Sequence, residues 1–233
     1  TLQGKGTGVV NLSAGSKLNG TALTSTFQAA SANIPDVAPS TSGNLLTSNG
    51  SAWTSATPAA SGMGALLSSV SVSGSPSTVD FDGLFTSEYT YYKIIATGLR
   101  FSSGNDGLWL RFKSAATWQT ATYTWQYSGI YNGGSALSNG STSGTYIACS
   151  SRSGDNAAGD SMDFEITLGD PLGTTYYKNI TCTSGGYYQS YPFWNSAWGT
   201  WRGGTGAVTG IRLYSNATTV SGGTVFLYGF KNT

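Results

Sequence analysis

Histidine is absent from the 233 residues, which removes the commonest metal ligand, the usual general base and the partner that activates serine or cysteine nucleophiles. Most familiar hydrolase designs are excluded with it. Charge is scarce as well. Charged residues make up 9% of the chain, against roughly 25% in an average soluble protein, and 11 Lys and Arg against 10 Asp and Glu leave a net charge of +1. Neither nucleic-acid binding nor adsorption to an anionic membrane is expected of such a surface. No run approaches the roughly 18 apolar residues that would span a bilayer, and no charged start followed by an apolar stretch marks a secretory signal. The chain reads as soluble, with no membrane insertion. Cys149 and Cys182 are the only cysteines, too few for a disulfide framework and without the clustered spacing of a zinc site. Two buried free thiols are expected, with a single bridge as the alternative. No metal and no cofactor is expected.

What the chain has in abundance is glycine, at 33 residues, and hydroxyls, with 65 Ser and Thr. Its surface is therefore wetted by hydroxyls and amides in place of charge. The 30 aromatics are unevenly placed: only Phe27 and Trp53 precede Val79. A compact core cannot form in that first third, and the burial that offsets chain entropy falls on the rest. Two regions follow, a shaft or linker segment over 1–64 and a tip domain over 65–233. The join runs through SATPAASGMG, Ser55 to Gly64, with linker-like Pro, Gly and small residues. The first region still holds GTGVVNLSAG and KLNGTALTSTF, short β-branched clusters between turn residues. Single copies of such strands bury too little to stand alone, so pairing with neighbouring copies in an intertwined oligomer is expected. A disordered Ser/Thr-rich linker is the alternative. The chain opens on Thr1, which reads as a fragment whose upstream part is missing.

The second region alternates with the period of two that marks half-buried strands. Leu108, Leu110 and Phe112 fall on one face of GLWLRFK, with Trp109, Arg111 and Lys113 on the other. In SMDFEITL, Met162, Phe164, Ile166 and Leu168 face in while Asp163 and Glu165 face out. Further strands are expected from Leu66, Tyr91, Ala121, Gly144, Thr175, Thr209 and Gly223. About ten short strands between Gly, Asn and Ser turns predict an all-β fold, a β-sandwich with jelly-roll topology. No stretch carries a helical period.

The passage APSTSGNLLTSNGSAWTSATP, Ala38 to Pro58, resembles a segment of bacteriophage tail fibres in which GNxLTSNGxAWTSA precedes a distal domain. The words that follow, DGLWLRFKS, GDPLGTTYYKNI and the closing AVTGIRLYSNATTVSGGTVFLYGFK, are similar in kind and order to fibre and spike tips, over residues 38 to 233. The resemblance implies a virion-surface appendage made in the host cytoplasm: a homotrimer, attached to upstream fibre or virion proteins, with a slender shaft and a C-terminal tip that adheres to the bacterial envelope. It does not imply catalysis. A departure from the pattern is the aromatic-rich YYQSYPFWNSAWGTW, Tyr187 to Trp201.

Sugars present flat apolar faces and rings of hydroxyls, so their sites pair stacking aromatics with amide or carboxylate partners. Residues 187–202 supply both. Tyr187, Tyr188, Tyr191, Trp194, Trp198 and Trp201 are interleaved with Gln189, Asn195 and Arg202. Pro192 and the Gly and Ser punctuation argue for a loop over one regular strand. A small core beneath that loop, or a subunit interface, is the competing use of these rings. Trp118 lies in a polar turn and is a further glycan-stacking candidate. Trp125 and its alternate neighbours belong to the core. Asp163 and Glu165, at i and i+2, loosely meet the carboxylate spacing of a glycosidase, and solvated outward positions explain them equally well. Asp80 and Asp82, or Asp155, Asn156 and Asp160, lack the spaced ligand series of a calcium loop and read as turn chemistry. The function expected is non-enzymatic adhesion to a surface glycan. A head-fibre or tail-assembly decoration protein without its own ligand is the alternative, and a polysaccharide-degrading spike the minor one.

Overall fold

The computed structural model describes strand residues 17–18, 21–22, 45–48 and 53–56, and then residues 64–231 apart from 104–106, 156, 158 and 217. Two compact units divide the chain, Thr1–Ser61 and Gly62–Thr233. In the first, β1 (Lys17–Leu18) pairs antiparallel with β2 (Thr21–Ala22), and β3 (Leu45–Ser48) with β4 (Trp53–Ala56). The rest of the expected shaft, and most of the linker from Ser55 to Gly64, lie outside the described residues.

The second unit is all-β, with no helix among the described residues. Eight strands form the larger antiparallel sheet, in the order β11 (Ser135–Gly144), β10 (Tyr123–Tyr131), β15 (Tyr191–Trp201), β14 (Lys178–Tyr188), β13 (Ser161–Gly169), β7 (Tyr91–Phe101), β17 (Val220–Phe230) and β5 (Ala65–Ser71). The smaller sheet runs β12 (Ile147–Ala148), β8 (Trp109–Ser114), β16 (Val208–Tyr214) and β6 (Thr78–Asp82), with β9 (Thr117–Trp118) paired to β8. Both sheets feed one hydrophobic core through alternate positions. Leu108, Leu110 and Phe112 from the small sheet and Met162, Phe164, Ile166 and Leu168 from the large one are all buried, as their alternation predicts. Burying each such side chain contributes about 1.5–3 kcal/mol.

Three elements differ from expectation. β11 carries no large apolar residue except Leu137, so it gives no periodic signal. It exists because β10 offers a free edge for it to pair with, from Tyr123↔Gly144 to Tyr131↔Ser135. The strand expected from Gly144 shrinks to Ile147–Ala148. Asp80 and Asp82 are not turn residues but outward positions of β6.

Cys149 and Cys182 are free thiols, both buried, one just past β12 and one on β14. The Cys149 side chain lies within hydrogen-bond reach of Cys182, and this contact together with burial pushes the Cys182 thiol well above its ordinary range. A protonated, inaccessible thiol is a poor nucleophile. The native protein is therefore expected to leave both cysteines unlabelled by an aromatic disulfide reagent, and denaturant to release two thiols per chain. Prompt labelling of native protein would contradict this packing.

Candidate functional site

The aromatic stretch 187–201 is a hairpin, not a loop. Gln189 and Ser190 both take positive φ, 50° and 67°, the backbone of a two-residue turn whose twist matches the flanking strands. β14 and β15 then pair without interruption from Tyr188↔Tyr191 to Lys178↔Trp201. Pro192 is tolerated because it lies one residue beyond the last β10 partner, Tyr131↔Phe193. It accepts from the Asn132 N–H at 3.3 Å and has no N–H of its own to place.

Regular alternation splits the candidate residues between two faces. Tyr188, Asn195 and Trp201 turn inward and are buried, so they are corrected from ligand-binding candidates to packing residues. Asn195 Oδ1 accepts from Ser151 Oγ at 2.8 Å. Tyr188 and Tyr131 flank the Arg152 guanidinium, whose carbon is 5.8 Å and 5.5 Å from their ring centres. Tyr187, Trp194 and Trp198 turn outward, while Tyr191, the partner of Tyr188, lies on the inward face and is exposed only because it ends the sheet. Tyr191 meets Tyr131 edge-on at 5.9 Å. Gln189 holds the hairpin turn, its N–H donating to Asp160 Oδ2 at 2.7 Å. Arg202 donates from Nη2 to the Thr142 carbonyl at 2.7 Å and so ties β11 to the sheet.

Trp118 belongs to the other sheet. It is half-buried on β9 beneath two cations, with the Arg212 guanidinium 4.3 Å from its ring centre and Lys113 Nζ at 5.8 Å. Both cations also bind carboxylates. Arg212 grips Asp80 through two bonds of 2.9 and 2.7 Å, which with burial opposing holds its pKa above the usual value, and Lys113 pairs with Asp82. Trp118 therefore caps a charge network on the smaller sheet. Trp118→Ala is expected to lower unfolding stability in denaturant by about 1–2 kcal/mol, from two cation–π contacts and lost packing.

On the large sheet, cross-strand register assembles what no single strand contains. Outward residues form rows across the strands. One row reads Ala136, Ile130, Trp194, Gly185, Asp163, and another reads Gly140, Gln126, Trp198, Thr181, Thr167, Lys93. Between them runs Ser138, Ser128, Ser196, Thr183, Glu165. The two indoles, 49% and 43% exposed, are four residues apart on β15 and so stand about 13 Å apart. They are walls, and the hydroxyl row between them is a floor. A concavity of about 570 Å³ lies against Trp198, over Gln126, Ser128, Thr181, Thr183 and Ser196. A second, of about 560 Å³, lies against Trp194, over Thr183, Asp163 and Glu165. Thr183 lines both, so the two adjoin and are described together as one shallow trough.

The carboxylates at its far end are engaged. Glu165 Oε1 accepts from Lys93 Nζ at 2.7 Å, and Asp163 Oδ1 accepts from the Gly98 N–H at 2.7 Å. The Glu165 carboxylate raises the Lys93 pKa, against a smaller opposing effect of burial. Of the other acidic residues considered, Asp160 is buried under the hairpin turn and Asp155 accepts from the Ala157 N–H at 2.7 Å. Asn156 lies outside the described residues.

Neither a family model, a curated protein nor a solved structure matches this chain. Function is therefore read from the site. Of the ten residues singled out from sequence, the structure brings Trp194 and Trp198 into the trough. Tyr187, Gln189 and Tyr191 gather at the neighbouring hairpin end, Arg202 braces the edge strand, and the rest pack elsewhere. Gln126, Ser128, Thr181, Thr183 and Ser196 were missed, because an outward Ser or Thr on a strand is too common to be a signal.

Proposed function

We propose that this chain is the distal part of a virion appendage, a bacteriophage tail fibre, and that it adheres to a glycan on the bacterial envelope without cleaving it. The observation that carries the reading is the trough: two exposed indoles flanking a hydroxyl floor, a pairing that offers stacking to sugar faces and hydrogen bonds to their edges. The order of tail-fibre-like words from residue 38 onward supports the virion assignment. The tip is a β-sandwich of jelly-roll kind on a shaft shared by three copies, since hairpins as short as β1–β2 and β3–β4 need partners to persist. Three weak sites on one stem then hold by avidity where one would release.

The test is adsorption of the purified chain to bacterial cells, with polysaccharide released from the same cells as competitor. Binding abolished by the competitor, with a solution mass of three chains, is the expected result. A monomer, or adsorption indifferent to the polysaccharide, would refute it. The position of Asp163 and Glu165 beside Trp194 favours one second reading, hydrolysis of the bound glycan. New reducing ends after incubation with that polysaccharide would establish it.

A further inference from the structure

We infer that the trough takes a linear oligosaccharide laid across the strands, from β11 towards β13, and selects neutral or amine-bearing sugars over acidic ones. This rests on the adhesion reading above. The hydroxyls of Ser138, Ser128, Ser196 and Thr183 cross four strands, three spacings of about 4.8 Å, and Glu165 on β13 ends the row, so the hydroxyl floor is about 14 Å long, more than a single sugar ring covers. The tryptophans stand on either side of this row, not along it, so a chain can run between them and stack on each in turn.

The sign of the selection comes from where charge lies. The outward positions of β10, β11, β14 and β15 hold no charged residue. At the β13 end, two carboxylates, Asp163 and Glu165, face one cation, Lys93, which is already bonded to Glu165 at 2.7 Å. Arg100, further along β7, turns away and lies over Gly222 of β17. A uronate, sialate or phosphate placed there meets an uncompensated negative charge with no donor cation to spare. An ammonium finds Asp163. The groups are exposed, so salt weakens the discrimination.

The experiment is an array of neutral, amine-bearing and acidic glycans of one to six units, probed with the full chain at low and high salt. It is repeated with the double variant Asp163→Asn, Glu165→Gln. Both substitutions keep an acceptor oxygen at exposed positions, so the fold is retained. Neutral and amine-bearing chains of three or more units are expected as the ligands, with acidic counterparts at least fivefold weaker at low salt. The double variant should recover acidic chains and lose the preference for amine-bearing chains over neutral ones. Preference for acidic chains, or monosaccharides bound as well as longer chains, overturns this inference while leaving adhesion standing. An array with no ligand of any class refutes both.

Discussion

With Trp194 and Trp198 both replaced by alanine, the protein is expected to lose cell adhesion while unfolding at an unchanged temperature. The two indoles are among the most exposed large apolar side chains of the sheet, and their inward neighbours on β15, Phe193, Asn195, Ala197 and Gly199, do the packing. Removing the rings therefore takes away contact surface and little of the core. Aromatic anchors at the centre of a binding surface are worth about 2 kcal/mol each, about thirtyfold in affinity per ring. In the trivalent assembly proposed above the deficit would recur at every site, so retention on cells should fall further than single-site affinity. Calorimetric unfolding and adsorption on the same preparations check the two halves of the claim. Full adhesion by the folded double variant would remove the large sheet as the contact face. Loss of fold together with adhesion would show the indoles to be packing residues.

The largest stability effect is expected at Lys178. Its side chain is buried, yet Nζ donates to three carbonyls, Gly173 at 2.5 Å, Tyr176 at 2.9 Å and Thr205 at 3.2 Å. One ammonium thus holds the turn after β13 and the loop before β16. Lys178→Met keeps most of the volume and supplies no donor, leaving three carbonyls without this partner. A cost of about 3 kcal/mol follows, the order expected when buried acceptors lose their donor. Burial lowers the Lys178 pKa below 10.5, a shift that nearby Asp170 opposes. The unfolded chain therefore holds this proton to higher pH than the folded one. Stability from this residue rises with pH between the depressed folded value and 10.5. The gap between wild type and Lys178→Met, measured by denaturant unfolding, should widen across that window. A gap that narrows would mean the amine is protonated more readily folded than unfolded.

Much of the second unit is legible in local pattern. Strand β8 is legible with its inward and outward residues, because Leu108, Leu110 and Phe112 alternate with polar or amphipathic neighbours. β13 is legible for the same reason. β15 is not, because Pro192 and scattered Gly and Ser look like breaks when the strand partners are unknown. Only the end of β10 beside Pro192 and the left-handed backbone of Gln189 and Ser190 make the hairpin possible. Trp118 was misplaced for a similar reason. Its cations, Arg212 and Lys113, come from two different strands, and nothing next to it in sequence announces them.

By itself the sequence determined an all-β second unit, which side chains along most strands turn inward, and the exclusion of histidine-based chemistry. These are properties of composition and of a two-residue period, and both are local. Only the tertiary structure decided that Trp198 stands between Gln126 and Thr181, that Ser196 stands between Ser128 and Thr183, and that Trp201, Asn195 and Tyr188 face away from them. Cross-strand register depends on turn geometry and on how distant apolar faces fit one core. Shifting one strand by a single residue would exchange its two faces, and the trough would be gone.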